Sequence, residues 1–298
     1  MDVLLPTLAK KFADTWLTML ILPGLLYAAA LVVAHATGHR HAVDGAAVLS
    51  GVEELGRTAQ QAGSAGTVLM LAAVVVVSAA AGYTARGLAA SAQWVWLGAW
   101  GGPDNRLVRR RRTRWENAHE RYANERLALD ATGHADAAAQ QRLGELAAAR
   151  NRIALARPVR PTWIGDRFAA AEARLWAEYR IDLSFCWPRL WLVLPEETRH
   201  ECVAARTGFD AAGNLAGWAA LYLLLGCWWW PAAAIGIALA LLAWRRGRQA
   251  ASAFAELIES VVDVHGAALG RQLTGAGDDR PLDAAMGVAI TERARKDA

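Results

Sequence analysis

The sequence predicts an all-α integral membrane protein with four transmembrane helices and a cytoplasmic helical region. Three observations predict it. Apolar side chains make up 55% of the 298 residues and charged ones 20%, yet the two kinds are segregated along the chain. Residues 16–39, 58–85 and 211–244 carry no Asp, Glu, Lys or Arg, whereas a surface helix of a globular protein shows a polar stripe at every turn. Uncharged apolar runs of this length read as membrane spans. Lys and Arg gather beside the ends of those runs, as cytoplasmic flanks do.

The first span is predicted at 16–34, kinked by Pro23-Gly24, a pair that membrane helices tolerate when neighbours satisfy the freed carbonyl. Ala34-His35-Ala36 imitates a signal-peptidase site, but the run before it is longer than the usual apolar core of a signal and is interrupted by Pro23-Gly24, so a retained span is expected. A weakly acidic, Gly- and Ala-rich segment follows, with a short helix over 43–55. The second span, 67–83, has its core at Val74–Val77, and its helix can run on through Trp94.

Region 104–210 reads as helical. The stretches 106–129 and 135–155 are rich in Ala, Arg and Glu, and Ala131–His134 between them is a turn, so an antiparallel helical hairpin is expected. Pro158 and Pro161 break the chain. Gly165-Asp166 opens a helix to Tyr179, with Asp166 at or near the cap. The apolar segment 181–194 is too short to span and reads as core or interfacial. Pro195-Glu196-Glu197 opens a further helix to about Ala205, its acids complementing the helix dipole.

Residues 211–244 would be about 51 Å long as one helix at 1.5 Å per residue, far more than a hydrocarbon core of about 30 Å. Two legs joined near Cys227–Pro231 are therefore expected, with Trp228–Trp230 at the outer interface and Pro231 opening the second leg, where proline loses no hydrogen bond. Four spans with the N-terminus inside place Lys10, Lys11, Arg106–Arg114, Arg245, Arg246 and Arg248 on one side; three spans would export the last three, against the charge rule. Trp16, Trp94, Trp96, Trp100 and Trp244 would then line the inner interface. An amphipathic helix over 248–273 and a last short helix end the chain. The resulting division is 1–103, an N-terminal membrane region; 104–210, the cytoplasmic Arg-rich region; 211–244, a transmembrane hairpin; and 245–298, cytoplasmic C-terminal helices.

The strongest local signal is the cluster Arg106, Arg109, Arg110, Arg111, Arg112 and Arg114. Beside a span it predicts contact with anionic lipid headgroups, each basic residue contributing about 1 kcal/mol; no nucleic-acid-binding fold accompanies it. His35, His39 and His41, with Asp44, read as an interfacial loop, since Thr37-Gly38 breaks the helical spacing a metal site would need. His200-Glu201-Cys202 lacks the second histidine of a zinc-protease motif, and no phosphate-binding loop, nucleophile elbow or dinucleotide fingerprint occurs. Small residues form stripes suited to close helix packing: Ser78 and Gly82; Gly213 and Gly217; Ala232, Gly236 and Ala240. Cys186, Cys202 and Cys227 form no CxxC pair. The predicted spans hold no ionisable side chain, which disfavours an ion-coupled transporter.

The stretches WLTMLILPGLLY (16–27), WPRLWLVLP (187–195) and WWWP (228–231) resemble uncharacterised multi-pass membrane proteins of high-GC actinobacteria. The resemblance implies a bacterial inner-membrane location and brings no activity or site residues. The expectation is a non-enzymatic membrane anchor or scaffold with cytoplasmic termini, whose cytoplasmic helices dock a soluble partner or another copy. Its partners would include anionic membrane lipids and no nucleic acid; no catalytic residue, cofactor or metal is expected. Alternatives are an oligomeric pore or membrane-perturbing effector and a membrane-bound lipid-acting enzyme.

Overall fold

The computed structural model describes residues 22–39, 42, 45–61, 63–102, 104–132, 137–275, 277 and 280–295. These residues form ten α-helices: α1 Leu22–Thr37, α2 Gly45–Gln61, α3 Gly63–Leu97, α4 Arg106–Thr132, α5 Ala137–Asn151, α6 Trp163–Tyr179, α7 Leu183–Val193, α8 Glu196–Gly226, α9 Trp230–Thr274 and α10 Ala284–Arg295. Two compact units share the chain, one from Met1–Ala92 with Asp210–Arg245, the other from Gln93–Phe209 with Arg246–Ala298.

Among the described residues of the first unit, α1 packs on α2, and the core joins α1, α3, α8 and α9 through Tyr27, Ala34, Ala81, Ala85, Leu221, Leu225 and Ala232. Most of these side chains are small, so the helices approach closely. The exceptions anchor the cluster: Tyr27 stacks edge-on against Tyr222 at 5.3 Å, and its hydroxyl donates to the Leu221 carbonyl at 3.3 Å. Helix α1 ends where Gly38 turns left-handed at φ +58°, its N–H donating to Ala34 O at 3.0 Å, the geometry glycine adopts most cheaply. The α8–α9 turn is three residues, with Trp228 N–H and Trp229 N–H both donating to Leu225 O at 3.0 and 2.9 Å.

The second unit has the larger apolar core. Leu175, Ile181, Cys186, Leu190, Leu194 and Cys202 from α6 to α8 meet Ile258, Val261, Val262 and Leu269 of α9 and Met286, Ile290 and Ala294 of α10. Helix α6 starts at Trp163 with Thr162 as its cap: the Thr162 hydroxyl accepts from Gly165 N–H at 3.0 Å and donates to Trp96 O. Asp166 therefore lies inside the first turn rather than at the cap. The apolar segment 181–194 forms α7, its Cys186 and Leu190 buried. On α9 Phe254, Leu257 and Val261 face the core, but Val264 is 70% exposed.

The described residues do not contain four spans. Among the described residues α3 alone is long and apolar enough to cross a membrane, with only 17% of its most apolar stretch buried. Helix α1 is shorter, and the first part of the span expected at 16–34 lies outside the described residues. The uncharged run 211–244 divides at the α8–α9 turn into legs that fall short of the roughly 20 residues a span needs. Each leg continues directly into a charged helical segment, Glu196–Asp210 on one side and Arg245 onward on the other. The Trp229 indole, expected among headgroups, instead donates to Ala42 O at 3.0 Å.

The multi-pass topology, the inner-membrane placement and the cytoplasmic termini lose their basis with that count. So do the anionic-lipid, homo-oligomer and docked-protein partners. The anchor or scaffold, the pore and the membrane-bound lipid enzyme all rest on a four-span architecture and are set aside with it.

Candidate functional site

The arginine run divides when it folds. Arg106, Arg109, Arg110 and Arg114 are exposed, while Arg111 and Arg112 turn inward. Val108, Arg111, Arg112 and Trp115 share one helix face by their three- and four-residue spacing. Val108 is fully buried, and the other three side chains grip the segment that links α5 to α6. Arg111 Nη2 donates to Ile153 O and to Asp166 Oδ2, both at 2.7 Å. Trp115 Nε1 donates to Ala154 O at 2.9 Å, and Arg112 reaches towards Pro158 O at 3.5 Å. Asp166 closes the same segment from the other side, its Oδ1 accepting from Val159 N–H at 2.8 Å and Arg160 N–H at 2.7 Å. With its side chain 4% exposed, this carboxylate is satisfied by three donors, as a buried charge must be.

A second ionic cluster links α6 to α9. Arg167 pairs with Glu259 at 2.6 Å, and Arg174 bridges Glu259 at 3.2 Å and Asp263 at 3.1 Å. Arg248 lies 4.2 Å over the Trp163 ring; burial, with the Arg111 charge adding to it, lowers its guanidinium from the ordinary value. These contacts fix the framework of the second unit.

The small-residue stripes lie at close backbone approaches of the first unit. A Cβ on Gly217 would collide with the Ala85 carbonyl oxygen and lie 3.1 Å from Ala89 N; on Gly236 it would lie 2.8 Å from Leu223 N. Ser78 and Gly82 are buried on α3, Gly213 and Ala232 are buried on α8 and α9, and Ala240 is partly buried. The Ser78 hydroxyl finds no partner among the described residues.

The polar groups weighed as ligands do not converge. His39 Nδ1 lies 3.1 Å from Trp228 O, His35 is on α1, and His41 and Asp44 lie outside the described residues. His200 makes only a loose 3.8 Å contact with Glu196. Among the described residues no three His, Cys, Asp or Glu side chains group as a metal site would require. Burial pushes the thiols of Cys186 and Cys202 up, away from reactive thiolate.

Two clefts stand out instead. In the first unit α1, α2 and α3 enclose a cleft of about 770 Å³ whose walls include Ala28, Leu31, Val32, Met70, Ala73, Val74 and Val77. Its polar groups are His35 of α1 with Ser50 and Glu54 of α2. They belong to one end: Gly51 lies against Ala36, next to His35, while Ala28 and Val77 line the far end. Along α1 the step from Ala28 to His35 is about 10 Å at 1.5 Å per residue. In the second unit a smaller cleft of about 310 Å³ lies between α7, α8 and α9.

Neither cleft is marked by a motif. The only signals in the sequence are Ser50 and Glu54, four apart on α2, and Trp187 and Trp191, four apart on α7, each pair sharing a helix face. Comparison with protein-family models, with curated proteins and with solved structures returns no match, so the two clefts stand on their own geometry.

Proposed function

We propose that this chain is a non-enzymatic helical binding protein whose first unit takes an amphiphilic small molecule with an aliphatic body and an amine head. The cleft of about 770 Å³ between α1, α2 and α3 carries this reading. It falls within the roughly 300–1,000 Å³ of ligand sites, which combine mostly apolar walls with a few placed polar groups. The roughly 10 Å aliphatic length argues for a chain rather than a compact ring, each buried methylene contributing about 0.8 kcal/mol.

Charge selects the head. Glu54 is the carboxylate that lines the cleft, at the same end as His35. An ammonium donates to a carboxylate, whereas a carboxylate head would be repelled by it.

The test is calorimetric titration of the full chain with decylamine, decanol and decanoate. The amine is expected to bind most tightly and decanoate most weakly. Glu54→Gln should erase the preference without abolishing chain binding, and Ala73→Trp should fill the cleft and remove binding of all three. Equal affinity for amine and acid, or unchanged binding in Ala73→Trp, overturns the reading.

A further inference from the structure

The second unit carries its own cleft, separate in the chain and in chemistry from that proposal. Trp187 and Trp191 of α7 form one wall, their rings 6.0 Å apart and tilted by 47°. Phe254 of α9 lies opposite, held by Phe168 at 6.1 Å between centroids. The side contributed by α8 holds Cys202, Val203, Arg206 and Thr207.

Each of these groups narrows the class of occupant. Three aromatic rings offer stacking and edge contacts, which flat rings exploit better than branched chains. A cavity of about 150 Å³ accepts benzene, so about 310 Å³ suits two fused rings. Cys202 is 2% exposed and its thiol is pushed up by burial, with the Glu201 charge adding to it, so this part of the cleft is uncharged at neutral pH. The Thr207 hydroxyl already donates to Val203 O at 2.8 Å.

Arg206 is the single charge among the lining residues. A guanidinium is a planar fork with more than one donor edge, so Arg206 can match a carboxylate two-to-two while keeping the contact it makes within the protein. It is exposed, as a group at the mouth of a cleft must be if it is to meet the polar end of an inserted ring.

We propose that this cleft binds a small bicyclic aromatic carboxylate, its rings against Trp187, Trp191 and Phe254 and its carboxylate on the Arg206 guanidinium. The ring supplies the burial and the carboxylate sets the orientation, so both parts are needed.

The experiment is calorimetric titration of the full chain with 2-naphthoate and with 2-naphthylmethanol, the same rings without the charge. One molecule of 2-naphthoate is expected to bind per chain, at least about tenfold more tightly than the alcohol, the scale of a charged hydrogen-bonded contact. Arg206→Gln, a change at an exposed position, should bring the acid down to the affinity of the alcohol. Val203→Trp, also exposed, should block both ligands while the circular dichroism of the chain stays unchanged. Absence of 2-naphthoate binding, or equal binding of acid and alcohol, overturns the proposal. So does an Arg206→Gln chain that still prefers the acid. Because the first cleft selects an amine, decylamine binding that survives Val203→Trp separates failure here from failure of the earlier reading.

Discussion

Arg111 meets Asp166 at 2.7 Å, with their side chains 21% and 4% exposed, so a member of the arginine run serves as the buried counter-charge of the α5–α6 link. Removing one partner of a buried pair strands the other in a poorly solvated site, at a cost of about 3–5 kcal/mol. Asp166→Ala should therefore lower the unfolding free energy of the second unit by that amount in urea titration. The Arg111→Met, Asp166→Ala double variant should lose less than the two single losses together, because both members of the pair are gone. A loss below about 1 kcal/mol in Asp166→Ala would place the pair among surface ion pairs and refute the clamp.

Gly217 and Gly208 make opposite predictions within one helix. At Gly217 an added Cβ runs into the backbone of Ala85, whereas at Gly208 it meets nothing within 4 Å. Backbone cannot swing aside as a side-chain tip can, so Gly217→Ala should cost about 1–3 kcal/mol, as overpacked positions do. Gly208→Ala should instead stabilise by up to about 1 kcal/mol through helix propensity alone. Thermal unfolding of the two variants checks both signs; a neutral Gly217→Ala would mean that α3 and α8 do not touch there.

Helix positions were largely legible because local chemistry writes them. The Ala-, Arg- and Glu-rich stretches became α4 and α5, and the Pro158–Pro161 segment remained without helix. The start of α6 was misplaced because Thr162 and Asp166 are both capping residue types; only the structure shows which of them accepts from Gly165 N–H. The span count failed for a different reason. Hydropathy sees an uncharged run but not where helices begin and end: 211–244 is shared by α8 and α9, and each of its legs continues into a charged segment of the same helix. The arginine run was read by its position along the chain, yet the face shared by Val108, Arg111 and Trp115 decides which of its members turn inward. The two clefts were illegible, because each depends on the angles at which three consecutive helices pack, α1–α3 in one and α7–α9 in the other, and residue types do not write those angles.

Tyr179 ties stability to alkaline pH. Burial, with hydrogen bonds to the carboxylates of Asp263 and Glu178 adding to it, pushes its phenol from 10.0 up to about 12. The folded state thus holds this proton more tightly than the unfolded chain does. Below pH 10.0 the phenol is protonated in both states and its contribution is fully present. Between there and about 12 the unfolded chain releases the proton first, and mass action draws the equilibrium towards unfolding. Above that range both states are ionised and the contribution is gone. Stability of the second unit should therefore decline across that window, measured as the urea midpoint at stepped pH. Tyr179→Phe should flatten the decline, leaving whatever slope Tyr27 and Tyr222 of the first unit contribute, since burial raises both of their phenols as well. If the slope is the same with and without the Tyr179 hydroxyl, that group is solvated in the folded protein, and its contacts to Asp263 and Glu178 do not form.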